Sequence, residues 1–280
     1  MIASPLRVKP VTNNIGAEIL DIDLSAPIDE ATFAQIRATY FERGVIFFRG
    51  QTLDDDEFQA FGRRFGGLTQ SRLYPHKVAG HDDLQVILKE AGSNANNGGI
   101  WHSDQSFRKH PIMGTGLIAR KVPPSGGDTA FTNMSAAFDA LSDGLKHTLR
   151  GMRAFHTNDT PKQSLRRAEL NAGKPESEHI KPDEAIHPVV LRHPETGREV
   201  LYVNEHYTVR FDGWTKAESE PLLRYLFAHS LRPEFGCRFT YEVGSMAIWD
   251  NRTVLHYAVN DYPGGERVLH RFMCEGPFLR

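Results

Sequence analysis

The stretch GGIWHSDQSF, residues 98–107, sets a histidine and an aspartate two positions apart, His102 and Asp104, between a tryptophan and a phenylalanine. On an extended strand, residues i and i+2 point to one face, so an imidazole and a carboxylate would stand side by side. Such a pair is two-thirds of the 2-His-1-carboxylate set that holds Fe(II) and leaves positions open for reactants. Zinc accepts the same ligands and keeps one open site. The pair decides little by itself. The chain has 13 histidines and repeats the pattern at His81–Asp83, which reads as a solvated loop. Most histidines are partly exposed or hydrogen-bonded residues, not ligands.

The C-terminal stretch MAIWDNRTVLHYAVNDYPGGERVLHRFMCEG changes the balance. It offers His256 on a predicted strand as a third ligand. On the next strand Arg267 and Arg271 lie four residues apart and share a face. A guanidinium is a planar fork suited to a carboxylate or a sulfonate. Two of them beside a metal ligand make sense when an anion arrives, although a surface strand carrying ion pairs would place the same residues there.

The elements that must position these groups are mostly short strands. The sequence opens as a hairpin, LRVKPV and IGAEILDIDL around a turn at Asn13-Asn14. Asp29 caps EATFAQIRATYFERG, whose Phe33, Ile36 and Tyr40 fall at helical spacing. VIFFRG follows as a buried strand, then a helix at DDDEFQAFGRRFG with acids first and glycine last. Further strands are expected at LQVILK, GTGLIARK, DTAFTN, MRAFHT, HPVVLRH, EVLYVN, CRFTYEV, MAIWD, VLHYAV and RVLHRFMCE, and helices at SAAFDALSDGLKHTLRG and KAESEPLLRYLFAHSL. Many short strands with outlying helices point to a β-sandwich or open barrel of the α+β kind. Residues 1–280 read as one domain, with loop-like segments around 69–100 and 158–186 that suit lids or insertions.

Composition narrows the class. Lys plus Arg is 33 against 35 Asp plus Glu, a formal charge of −2, so no long-range field favours nucleic acid or an anionic membrane. The two cysteines, Cys237 and Cys274, make no disulfide framework and no thiolate zinc site, which suits a reducing compartment. With no signal pattern at the N-terminus and no bilayer-length apolar run, the expected location is the cytoplasm.

Taken together, IGAEILDIDLSAPI, GVIFFRGQTL, FGRRFGGL, WHSDQSF, PPSGGDTAF, HPETGREVLYVNEHYT and AIWDNRTVLHYAVNDY…RVLHR resemble, nearly end to end, the taurine/2-oxoglutarate dioxygenase family, which includes the dichlorophenoxyacetate dioxygenases. The resemblance implies a double-stranded β-helix (jelly-roll) core and an enzyme that uses Fe(II), 2-oxoglutarate and O2. It implies that His102, Asp104 and His256 ligate the iron. Thr129 and Arg267 would bind the distal carboxylate of 2-oxoglutarate, and Trp249 would line its pocket. Arg271 would hold the substrate's anionic group or sit near the metal-bound end of 2-oxoglutarate. Tyr74, Phe107 and Tyr207 would wall the substrate pocket, although core aromatics would look the same. Relatives form dimers or tetramers, so a homo-oligomer is expected.

The sequence departs from the taurine-specific pattern at Ser71, where a substrate-contacting histidine is expected, at Gly98, and at Pro161 and Lys162. The implied substrate is therefore a small organic anion larger than taurine: a sulfonate, an alkyl sulfate or an aryloxy acid. Hydroxylation beside the heteroatom would lead to C–S or C–O cleavage, with succinate and CO2 released. A zinc hydrolase built on the same His/Asp/His set is the alternative, but it leaves Thr129 and both arginines without a task and lacks an identifiable general base. A binding module that has kept the fold would have little reason to retain all of these groups.

Overall fold

A computed structural model describes residues 5–71, 73–74, 76–93 and 98–276. The opening hairpin forms as the sequence predicts: β1 (Arg7–Pro10) pairs antiparallel with β2 (Ala17–Leu20), and β2 runs parallel to β3 (Val45–Phe48). Between them α1 (Glu30–Arg43) starts at Asp29, whose carboxylate accepts from the Thr32 N–H, and ends at Gly44, φ 72°. A capping box of Asp54 and Glu57 starts α2 (Asp55–Arg63). Strands β4 (Leu68–Thr69) and β5 (Lys77–Val78) are short, and β6 (His81–Lys89) is long. The second His-x-Asp therefore opens a strand instead of lying in a loop, although Asp82 is exposed.

Next come β7 (Ile112–Lys121) and β8 (Thr129–Asn133). The single helix expected after β8 is two, α3 (Met134–Asp139) and α4 (Asp143–Arg150), because Ser142 caps the second by accepting from Leu145 N–H. After β9 (Arg153–Thr157), the polar 158–186 segment contains α5 (Pro161–Asn171), capped by Thr160 with proline at its first position. Its largely charged and polar sequence hides the helical period. The chain continues through β10 (Glu184–Pro188), β11 (Val190–Arg192), β12 (Glu199–Leu201) and β13 (Thr208–Phe211), the last not anticipated from sequence. It closes with α6 (Lys216–Ser230), β14 (Gly236–Phe239), β15 (Met246–Asp250), β16 (Val254–Ala258) and β17 (Arg267–Glu275).

These strands make a jelly roll. Its larger sheet runs β1-β2-β3-β15-β7-β17-β6-β5, with β4 beside β17, and its smaller one β14-β8-β16. Period-2 alternation decides which layer each side chain enters. From β3, Val45 and Phe47 point to the space between the sheets, while Ile46 and Phe48 point to the layer of α1 and α2. Strand β15 divides likewise, with Ala247 and Trp249 inside and Met246 and Ile248 against the helices. Both strands are buried on two faces, which is why they read as continuous apolar runs. Between the sheets Phe47 stacks on Phe239 at 4.2 Å and Phe131 meets Trp249 at 5.5 Å. A third cluster, with Leu201, Phe211, Leu223 and Leu226, packs α3 and α6 around β12 and β13.

The tightest point of the large sheet lies where β7 pairs with β17. Gly116 faces Phe272 across that ladder, and a Cβ there would sit 2.3 Å from the ring. Phe272 is fully buried and has nowhere to move. Gly116→Ala should therefore cost roughly 1–3 kcal/mol through overpacking. Gly144, in α4 with no atom near its would-be Cβ, should gain up to about 1 kcal/mol as alanine. Urea unfolding of the two variants checks both signs.

Candidate active site

The His-x-Asp segment is not a regular strand. His102 forms an isolated antiparallel bridge with His256: each N–H donates to the other's carbonyl, at 3.2 and 2.9 Å. Ala258 N–H adds a bond to the Gly98 carbonyl at 2.9 Å, so this segment extends the smaller sheet beyond β16. The chain then turns sharply, with Gln105 at φ 54°. Directly opposed residues of an antiparallel bridge project to one side of the sheet. That relation, not i, i+2 alternation, brings the two imidazoles together at 4.1 Å between ring centroids. The turn then delivers Asp104 to the same point.

His102 Nε2 lies 3.5 Å from Asp104 Oδ1, and His256 Nε2 lies 3.8 Å from Asp104 Oδ2. One ligand atom from each of the three residues lies within 4.8 Å of the others, and all three residues are buried. This donor set fits a divalent metal. His102 Nδ1 sits 2.7 Å from the Ile100 carbonyl, which places a proton on Nδ1 and leaves the Nε2 lone pair free. Burial pushes the His256 imidazole down to about 3, which keeps it neutral, as a metal ligand must be. Burial would raise the Asp104 carboxyl, but the positive charge that His256, His102 and Arg271 present beside it in acid outweighs this and holds the group well below the usual carboxylate range.

Arg267 and Arg271 project from β17 into the same pocket of about 100 Å³, which Thr129, Trp249, Tyr74 and Tyr207 also line. Nothing in the described protein bonds to Arg267 Nε or Nη2, to Arg271 Nε or to His256 Nδ1, although all four atoms are buried. Buried guanidinium N–H groups cost free energy until an acceptor reaches them. Arg267 instead rests over the Tyr241 ring at 5.2 Å, and Tyr241 accepts from Thr129 Oγ1 at 3.3 Å. Arg271 Nη2 donates to Gln85 Oε1 at 2.6 Å, which aims the rest of the fork.

Two residues considered for substrate contact from sequence, Ser71 and Phe107, do not line the metal-side pocket. They line an adjoining cavity of about 620 Å³, with Leu73, Arg108 and Asn158. The edge contact between Phe107 and Tyr207, 4.9 Å between rings, forms the partition. Sequence reading also missed His206, which lines the metal-side pocket with its ring 5.7 Å from that of His102. Burial lowers its pKa to about 4, so it is a neutral imidazole. Its only signal in sequence is adjacency to Tyr207. Helix α5 roofs this side: Gln163 donates to the Tyr207 hydroxyl at 3.1 Å, and Arg166 lies over the Tyr74 ring at 4.8 Å.

The turn that carries β15 into β16 is held by a buried ion network. Arg252 donates to both Asp250 oxygens, at 2.9 and 2.7 Å, and His193 Nε2 lies 2.9 Å from Asp250 Oδ2. Glu195 flanks Arg252 at 3.0 Å. Burial alone would raise the Asp250 carboxyl, but Arg252 and His193 lower it well below the usual range.

Comparison with known proteins agrees with this geometry. Residues 7–273 match the family described as taurine catabolism dioxygenase TauD, TfdA family. An alkylsulfatase of Acinetobacter baylyi is 35% identical over 97% of this chain and 85% of that protein. An alpha-ketoglutarate-dependent sulfate ester dioxygenase of Pseudomonas putida is 34% identical, covering 98% of this chain and 91% of its own. The crystal structure of a taurine dioxygenase from Burkholderia xenovorans superposes with a TM-score of 0.81 at 34% identity, over 98% of this chain and 92% of that one.

The Asp250 network makes a pH-dependent prediction. A carboxylate with a depressed folded pKa contributes stability that is present above its unfolded value of about 3.9 and is lost as pH falls toward the folded one. Asp250→Asn leaves the buried Arg252 with Glu195 alone as counter-ion and should cost up to roughly 3–5 kcal/mol at pH 7. The gap to wild type should narrow below pH 4, as urea unfolding across the pH range will register.

Proposed function

The chain belongs to the taurine catabolism dioxygenase TauD, TfdA family and is a 2-oxoglutarate-dependent dioxygenase, and on that premise we propose that it hydroxylates a small organic anion at an iron held by His102, Asp104 and His256. The single observation that supports this most is the convergence, in one pocket, of three clustered ligand atoms and two arginines with unpartnered N–H groups. A zinc hydrolase would have no use for the arginines, and the matched family is one of dioxygenases.

Thr129 and Arg267 bind the distal carboxylate of 2-oxoglutarate, a charge-assisted pairing that gives Arg267 the acceptor its buried N–H groups lack. Trp249 walls this half of the pocket. Iron, when bound together with 2-oxoglutarate and O2, supplies the oxidising power, with succinate and CO2 as coproducts. The chain's own task is orientation and exclusion of water. Arg271, steered by Gln85, meets the substrate's anionic group, while Tyr74, Tyr207 and His206 set its angle to the metal. The tail extends past the Phe107–Tyr207 partition toward Ser71 and Leu73, which suits substrates longer than taurine. An alkyl sulfate fits best, in line with the two sulfate-ester relatives, ahead of sulfonates and aryloxy acids. Oxygen inserted on the carbon bearing the sulfate ester gives an unstable product that breaks its C–O bond, leaving sulfate and an aldehyde.

Residues 1–280 form the one catalytic domain, with α5 acting as the lid. Unpaired Cys237 and Cys274 accord with a cytoplasmic setting, and no described helix is long and apolar enough to cross a membrane. Assembly as a dimer or tetramer would use exposed apolar positions such as Trp214 and Tyr225 on and beside α6.

Succinate release in the presence of Fe(II), 2-oxoglutarate and a series of alkyl sulfates tests the assignment. Medium-length alkyl sulfates should stimulate it above taurine, with one sulfate released per succinate; stimulation by taurine alone would contradict the substrate class. Asp104→Ala should abolish turnover in a folded protein, and full activity would remove the ligand assignment. Arg267→Ala should weaken 2-oxoglutarate binding by roughly 2–5 kcal/mol, read as a raised KM for 2-oxoglutarate; an unchanged KM moves the grip elsewhere.

A further inference from the structure

The carboxylate of Asp104 is not free to choose how it faces a metal. Thr115, on β7, donates its hydroxyl hydrogen to Asp104 Oδ2 at 2.8 Å. The same Thr115 oxygen accepts from Asn251 Nδ2 at 2.9 Å. A threonine hydroxyl has one proton, so with its oxygen receiving the amide N–H, that proton is committed to Asp104. The orientation of the amide is also fixed. Asn251 Oδ1 receives the Asp104 backbone N–H at 3.2 Å and the Trp249 indole N–H at 3.0 Å, and neither donor would tolerate an amide nitrogen in that place. Ser103 completes the attachment by donating to the Asn251 carbonyl at 2.6 Å.

The result is a closed circuit with a defined sense: from Asp104 N–H to the Asn251 amide, on to the Thr115 hydroxyl, and back to the Asp104 carboxylate. Every member is buried, with Thr115 at 0% and Asn251 at 1% exposure, so solvent cannot substitute for a missing partner. Its two anchors sit on the framework. Thr115 pairs with Trp249 in the β7–β15 ladder, and Asn251 lies in the ion-locked turn that follows β15. The circuit thus ties a carboxylate on an irregular turn to the most regular part of the large sheet.

We infer that Thr115 and Asn251 are positioning residues for the metal site, which hold Asp104 Oδ2 in a hydrogen bond and leave Oδ1, 3.5 Å from His102 Nε2, as the oxygen more available to a metal. This rests on the ligand assignment proposed above. One-oxygen binding matters chemically, because a 2-His-1-carboxylate site needs three open positions and a chelating carboxylate takes one of them. Partners of metal ligands in this outer layer typically change metal affinity by about 10–100-fold when removed.

The test uses the full chain and a readout independent of turnover: anaerobic Fe(II) titration of apoprotein by quenching of tryptophan fluorescence. Thr115→Val keeps the shape and removes the hydroxyl, Thr115→Ala removes both without adding a methyl, and Thr115→Ser restores the donor. The valine and alanine variants should bind Fe(II) about 10–100-fold more weakly, while the apoproteins melt at a lower temperature but still unfold cooperatively. The serine variant should stay within about threefold of wild type, as a hydroxyl is all the circuit requires. Wild-type affinity in either folded variant that lacks the hydroxyl overturns the inference, as does an equal loss in the serine variant. A wild-type protein that takes up no Fe(II) removes the ligand assignment itself, and this inference with it.

Discussion

Two backbone hydrogen bonds between His102 and His256 are the constraint on which the site depends. They join an irregular loop to the edge of a regular sheet and fix the two imidazoles opposite each other. Everything else in the pocket is arranged relative to that edge. Strand β16 brings His256 because β8 pairs with it in register, and β8 begins at Thr129. Strand β17 enters beside β7 and brings Arg267 and Arg271 onto the inner face. Loop and sheet therefore cannot move apart without dismantling the ligand cluster. The circuit through Thr115 and Asn251 applies the same logic to the remaining carboxylate.

The site is also where the fold carries unfavourable free energy. A cluster of two buried imidazoles, one buried carboxylate and two guanidinium groups with unpartnered N–H atoms would be hard to justify as packing. Elsewhere in the interior the chain satisfies its charges: Arg252, Asp250 and His193 form a complete buried network, one turn away from the ligands. The contrast is informative because Asp250 and Arg252 of the one group and His256 of the other come from the same short stretch, WDNRTVLH. In one the acceptors are built in; in the other they are left for metal, cosubstrate and substrate to provide. Local instability of this kind accompanies binding sites that must be ready before the ligand arrives.

Much of this was legible in the sequence, for definite reasons. The β-rich architecture follows from two-faced apolar runs such as VIFF and MAIWD, and α1 and α2 follow from Asp29 and Asp54 as caps. His102, Asp104 and His256 could be singled out by type and order, and their proximity in space accords with that selection. The geometry that joins them could not be read off: His-x-Asp suggests strand alternation, whereas the chain uses a cross-strand bridge and a turn at Gln105. Residues whose role depends on long-range register stayed hidden. Thr115 looks like an ordinary strand residue until β7 is set beside β15. That Ser71 and Phe107 line a second cavity, bounded from the metal side by the Phe107–Tyr207 contact, also shows only once the chain is folded. Helix α5 was obscured because its sequence is largely polar and the residues it buries are Gln163 and Arg167, so no apolar stripe marks its period.

On this reading His102, Asp104, His256, Arg267 and Arg271 together hold iron, 2-oxoglutarate and substrate in one pocket. This is tested most directly by adding Fe(II) and then 2-oxoglutarate to apoprotein without oxygen, and following visible absorption. A 2-oxoglutarate chelated to Fe(II) gives a metal-to-ligand charge-transfer band. This band should appear only with both components present, saturate at one iron per chain, and shift when an alkyl sulfate is added. If no band forms with both present, His102, Asp104 and His256 do not hold iron or Arg267 does not hold 2-oxoglutarate.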